Sequence, residues 1–169
     1  MPHETRISHQ SKPKPIEEII NEIKDLNKVL IAGCDGCVTV CEAGAQFIQT
    51  QCIYNMDKFK LWMKGVVEMG LHEKVFIMAG ITPMKTVGMA KYMKARVPGM
   101  DVPDEIVKRM GGVPKDKQAE EGIKIAIEQI QELKEVKGVA GFHVMAIEWE
   151  EKVGEIVERA GLLPRPKVD

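Results

Sequence analysis

KVFIMA (Lys74–Ala79), closed by Gly80, decides the fold. An apolar run of this length, bounded by a glycine, is too short for a helix and reads as a buried strand. On its C-terminal side Thr82 and Pro83 open a helix that turns Val87, Ala90 and Met93 inward. VPGMDVP then breaks the chain, Asp104–Met110 makes a short helix, and GGVP breaks it again. From about Lys115 to Val136, Ala119, Ile123, Ala126, Ile127, Ile130 and Leu133 fall on one face of a long helix. Gly141–Ile147 is another strand, and Val153, Ile156 and Val157 mark a last helix that stops at Gly161. On the N-terminal side, Asn55 caps a helix with Phe59, Trp62, Met63, Val66 and Val67, ended by Gly70. Before it, AQFIQTQ (Ala45–Gln51) is a strand. Further upstream, Val29–Ala32 is a short apolar run ending at Gly33. Pro15 starts a helix whose stripe is Ile16, Ile19, Ile20, Ile23 and Leu26. The order is a helix followed by four β-α units, which predicts an α/β fold with about four parallel strands. Cys34–Gly44 leaves only about a dozen residues for the first crossover, the minimum for a parallel connection.

The chain has 169 residues, enough for one domain with its own core. It is 44% hydrophobic and 29% charged, as soluble globular proteins are. Lys+Arg is 24 against Asp+Glu 25, a net charge of −1, which argues against nucleic-acid or membrane-surface binding. No apolar run reaches the ~20 residues of a membrane span. Residues 1–14 are polar and read as a flexible tail without a secretory h-region; residues 165–169 read as a second tail. The expectation is a cytoplasmic protein with reduced thiols.

Parallel α/β sheets and barrels carry their sites at the C-terminal ends of the strands. Gln51 ends one strand, and its amide offers donors and acceptors together for a flat heterocycle. Trp149, between Glu148 and Glu150 after the last strand, is suited to stacking on such a ring. The glutamates themselves read most simply as solvated, and His143 as a satisfied interior histidine. Met78, Met84, Met89 and Met93 read mostly as core packing, with Met89 placed to border a ligand. Cys34-x2-Cys37-x3-Cys41, with Cys52 after the next strand, is a candidate zinc or iron–sulfur ligand set. Cys37 and Cys41, four apart, also fit small hydrophobes facing a core, with Cys34 incidental.

Four stretches carry a family resemblance: AGAQFIQTQCIYNMDKF, AGITPMKTVGMAKYM, VPDEIVKRM and GVAGFHVMAIEWEEKVGEIVERAGL. Together they cover about Ala43 to Pro164 in collinear order. They resemble the C-terminal half of methylenetetrahydrofolate reductases, and MAIEWE looks like the acetogen-type version. The resemblance implies a partial (β/α)8, TIM-barrel-like unit. It also implies a flavin (FAD or FMN) at the strand ends and hydride transfer from the reduced flavin to methylenetetrahydrofolate. Gln51 matches the family glutamine that hydrogen-bonds the pterin of the folate. Met89 stands at a flavin- or folate-contacting position, and Met93 where a phenylalanine meets the folate. Ile147 matches an apolar contact, and Trp149 replaces an arginine near flavin and folate. Ala79 replaces the usual proline of PGI.

Residues 15–44 resemble the start of the cysteine-rich partner subunit of the anaerobic reductases, which carries zinc and iron–sulfur centres. The expectation is therefore a partner-like piece at 15–44, joined near 42–45 to a reductase-like half-barrel at 45–164 and packed with it as one domain. By the resemblance the front half of the barrel is absent, and with it the family's acidic catalytic residue. That leaves the catalytic residues unassigned and the enzyme incomplete as a single chain. Open sheet edges predict a homodimer, or association with reductase or partner subunits. Two other readings are a zinc- or iron–sulfur-binding accessory or electron-transfer module and an inactive recombined fragment.

Overall fold

The computed structural model describes residues 45–164. Three parallel strands form one sheet in the order β1 (Phe47–Cys52), β2 (Phe76–Ile81), β3 (Val139–Val144). Each strand pairs with the next in sequence. Sequential parallel order is compatible with part of a barrel wall, and it is also the order within one half of a doubly wound sheet. The structure is thus an α/β unit compatible with part of a TIM-like barrel. The expected strand at Val29–Ala32 and the expected helix on the Ile16–Leu26 stripe lie outside the described residues, so the four-strand count is not reached within them.

Between β1 and β2 runs α1 (Met56–Glu68), capped by Asn55, whose side chain accepts from the Lys58 N–H at 3.0 Å. Between β2 and β3 run α2 (Val87–Arg96), α3 (Asp104–Gly111) and α4 (Gln118–Lys134). After β3 comes α5 (Val153–Arg159). Most of these bounds fall within a few residues of expectation; of three departures, the first two have physical causes. The first is α2, which starts at Val87 and not at Thr82-Pro83. Thr86 is its cap, accepting from the Met89 N–H at 3.1 Å. Thr82 is buried and its hydroxyl is engaged elsewhere, so it is not available as a cap. The second is β2, which runs through Gly80 to Ile81, because Gly80 is where the neighbouring backbone comes closest. The third is β3, which starts two residues early and releases Met145–Ile147. The last ladder pair is Ile81 with Val144.

The sheet is amphipathic by alternation. Ile48, Ile77, Ala79 and Ile81 point into one core with Phe59, Met63 and Val66 of α1, Ile123, Ala126, Ile130 and Leu133 of α4, and Ile156 of α5. A smaller core joins Tyr54, Met84, Ala90, Met93, Val102, Met110 and Ile125 beneath α2 and α3. Gly122 lets α4 seat against the β2–α2 loop: a Cβ there would stand 1.8 Å from the Met84 carbonyl oxygen. The Arg109 guanidinium ties α3 to α4, donating to Glu121 at 2.6 Å and to both carboxylate oxygens of Glu128.

Candidate functional site at the strand ends

The C-terminal end of β1 is irregular, and that irregularity places Gln51. Gln49 pairs with Met78, but the next pair is Cys52 with Gly80, so β1 carries one residue more than β2 over this stretch. Such a bulge bends the strand and re-aims its side chains. It also presses backbone onto β2. A Cβ on Gly80 would lie 2.5 Å from the Gln51 carbonyl oxygen and 2.6 Å from that of Thr50. Only glycine tolerates that approach. Thr50 closes the bulge: its hydroxyl accepts from the Gly80 N–H and donates to the Gln51 carbonyl, both at 2.9 Å. The Gln51 side chain is left exposed, at the mouth of a largely apolar groove of about 300 Å³ that Ile48, Tyr54, Phe59 and Trp62 help to line. At its rim Lys58 and Asn55 both bond Asp101. The Lys58 ammonium holds that carboxyl below the ordinary carboxylate range, with Asn55 assisting.

Behind Gln51 a buried polar chain braces the strand ends. Cys52 Sγ lies 2.8 Å from Thr82 Oγ1, and the Tyr54 hydroxyl donates to the Thr82 carbonyl at 2.9 Å and reaches Met93 Sδ at 3.3 Å. Burial pushes the Cys52 thiol up, more than its bond to Thr82 lowers it. Burial, with Cys52 beside it, also pushes the Tyr54 hydroxyl well above the ordinary tyrosine value. Both groups are therefore neutral in the folded protein at pH 7. Cys34, Cys37 and Cys41 lie outside the described residues. Among the described residues no group of three or more His, Cys, Asp and Glu is arranged to hold a metal ion.

The other sequence-selected residues are spread over three surroundings. Ile147 is exposed on the loop after β3. Trp149 is 7% exposed and packs in the main core, and Lys85 Nζ stands 5.4 Å from its ring centroid. The same ammonium donates to the Glu148 carbonyl, at a residue whose φ of 51° is left-handed. Glu148 and Glu150 are exposed. Met89 is half-buried in the first turn of α2, and Met93 is buried on Tyr54. His143 is half-buried on β3, its Nδ1 bonded to the Gln49 amide across the sheet. The structure thus leaves Gln51 and Ile147 open at the strand ends and encloses Trp149 and Met93. Sequence reasoning passed over Gln49, Tyr54 and Lys85, and read Thr82 as a helix start. The alternation Gln49-Thr50-Gln51 was the one available signal for Gln49.

The family profile described as methylenetetrahydrofolate reductase matches residues 34–161. Methylenetetrahydrofolate reductase 1 of Schizosaccharomyces pombe is 28% identical over 124 residues, 72% of this chain and 20% of that protein. Methylenetetrahydrofolate reductase 2 of the same yeast is 27% identical over 158 residues, 89% of this chain and 24% of that protein. The chain spans about a fifth to a quarter of the length of these curated relatives. A match over this much of the chain places the protein in the methylenetetrahydrofolate reductase family, and the parallel α/β unit is compatible with it.

Proposed function

We propose that this chain works in one-carbon folate chemistry as the pterin-holding part of a methylenetetrahydrofolate reductase-type site. The observation that carries the reading is the Gln51 amide, exposed at the C-terminal end of β1 by a bulge that Gly80 permits. A primary amide matches the adjacent donor and acceptor edge of a pterin with two directional hydrogen bonds. Ile147, on the loop after β3, adds exposed apolar surface at the same end of the sheet. In this reading Gln51 orients the substrate, and orientation is a large part of what a protein adds to hydride transfer.

The described residues do not by themselves fit a flavin. Trp149 is enclosed under Lys85, and Met89 offers only a thioether, a weak acceptor, where an isoalloxazine edge calls for strong hydrogen-bond partners. The flavin surface belongs to a further body, reached by homodimerisation or by a reductase or partner subunit. Among the described residues β1 and β3 each keep one unpaired edge, and open edges of this kind recruit strands. Sedimentation of the full chain tests this, and a monomer at high concentration counts against self-association.

The acetogen-type ending MAIEWE and the partner-like character of residues 15–44 belong to the same proposal, with zinc or an iron–sulfur centre on Cys34, Cys37 and Cys41. Burial of the Cys52 thiol works against its use as a fourth thiolate. Iron and zinc content, with the visible spectrum of anaerobically purified protein, tests that part.

Folate binding tests the main reading. Titration of the full chain with methyltetrahydrofolate is expected to give saturable binding. Gln51→Ala weakens it by about one order of magnitude, the worth of one or two hydrogen bonds to a desolvated heterocycle. Absence of binding by the unsubstituted chain, or equal affinity in the variant, defeats the assignment.

A further inference from the structure

Gln49 and His143 meet across a strand to which neither belongs. β2 lies between β1 and β3, so the two backbones stand two strand spacings apart, about 10 Å. Both residues face away from the main core. Gln49 is in register with Met78 and His143 with Gly80, whereas the alternate positions Ile77, Ala79 and Ile81 are buried in that core. Gly80 puts no side chain beside His143, and the Gln49 amide nitrogen bonds His143 Nδ1 across β2. An amide nitrogen only donates, so Nδ1 accepts. A neutral imidazole with an accepting Nδ1 carries its proton on Nε2. The bond to Gln49 therefore fixes both the tautomer and the setting of the ring. Nε2 is left as a donor without a hydrogen-bond partner among the described residues. The same face is open two residues earlier on β3, where a Cβ on Gly141 would meet nothing within 4 Å.

His143 also stands at the functional end of the sheet. It is the last residue but one of β3, as Gln51 is of β1. We propose that His143 is a second pterin-binding residue, its Nε2–H donating to a ring nitrogen or carbonyl oxygen of the heterocycle. Gln49 is then a positioning residue, which holds the imidazole in the donating tautomer. This assignment rests on the pterin reading of Gln51 and deepens it. One amide grips a single edge of a flat ring and leaves the ring free to turn about that edge. A second donor, supplied from another strand, fixes the ring, and fixed orientation is what hydride transfer draws on. A held Nε2–H also discriminates by chemistry, since it favours a ligand acceptor and opposes a ligand donor at the same place. A pair that served only to brace β1 against β3 would leave Nε2 indifferent to ligand.

The test is two-bond proton–nitrogen correlation NMR of the histidine rings in the isotope-labelled full chain, with His143 identified by the signals lost in His143→Phe. Without ligand, Nδ1 is expected at a pyridine-type shift and Nε2 at a pyrrole-type shift. Methyltetrahydrofolate is expected to move Nε2 and to leave the tautomer unchanged. His143→Phe and Gln49→Met are each expected to weaken its binding about tenfold, the worth of one directional hydrogen bond. Gln49→Met is also expected to lose the single tautomer. If His143→Phe fails to fold, the ring signals that Gln49→Met moves identify His143, and the same readings decide. A proton on Nδ1 in the ligand-free chain overturns the assignment. Binding that Gln51→Ala weakens, with Nε2 unmoved or with either folded variant at full affinity, overturns it and leaves the Gln51 reading standing. Absence of binding by the unsubstituted chain overturns both.

Discussion

The two faces of the sheet are built from the same three strands and have opposite characters. On one, Ile48, Ile77, Ala79 and Ile81 are closed off by α1, α4 and α5. On the other, register places Phe47 beside Phe76, Gln49 beside Met78 and Gly141, and Gly80 beside His143. That face keeps two exposed phenylalanines and a Gln49–His143 hydrogen bond. In a closed barrel the corresponding side chains fill the interior in layers. The helix-covered face carries the main core, whereas the other keeps its two phenylalanines exposed. The difference also says where substitutions will register.

The sharpest way to break that contrast is to truncate neighbours. Ile77 is fully buried and Phe76 is 66% exposed, though they are adjacent on β2. Ile77→Ala is expected to cost about 2–5 kcal/mol, and Phe76→Ala to stay within about 0.5 kcal/mol, by denaturant unfolding of the full chain. Comparable losses from both would mean that the second face is packed as tightly as the first.

Gly80→Ala probes the rim where the faces meet. The added methyl collides with the Thr50 and Gln51 carbonyls, and backbone has to move. A loss of about 1–3 kcal/mol is expected, together with weaker methyltetrahydrofolate binding although Gln51 is retained. A variant that keeps wild-type folate affinity would separate the bulge from the site.

The smallest effect concerns the polar brace. Tyr54→Phe removes the bond to the Thr82 carbonyl and should cost about 1 kcal/mol at pH 7. The sign of its pH dependence follows from the raised Tyr54 value. The unfolded chain ionises near the ordinary value of 10, and the folded chain only above it. Stability from this group is complete below pH 10 and is lost as pH climbs past it. The phenylalanine variant should therefore show a shallower alkaline decline, read from melting temperature between pH 8 and 11. Parallel declines in the two proteins would exclude Tyr54 as the cause.

Element type was legible where one signal acted alone. The AQFIQTQ and KVFIMA runs are strands, and Phe59, Met63 and Val66 face the core of a helix. Boundaries went astray where two signals competed. Thr82-Pro83 and Thr86 are both plausible helix starts, and burial of Thr82 against Cys52 and Tyr54 decides between them. Gly80 reads as a stop, yet it continues β2, because a close approach from another strand has no local trace. At the site, Gln51 was legible from its strand-end position. The enclosure of Trp149 was not, because it depends on packing into the main core with residues far away in sequence, with Lys85 standing beside the ring.

The winding of the sheet has an architectural consequence. Each strand meets its sequence neighbour, so no described connection passes over a strand on its way to a partner. Either border can be lengthened by one more βα module without rethreading anything already laid down. Such a layout suits splicing, permutation or reconstitution from separate pieces, because a new neighbour needs to match only one strand.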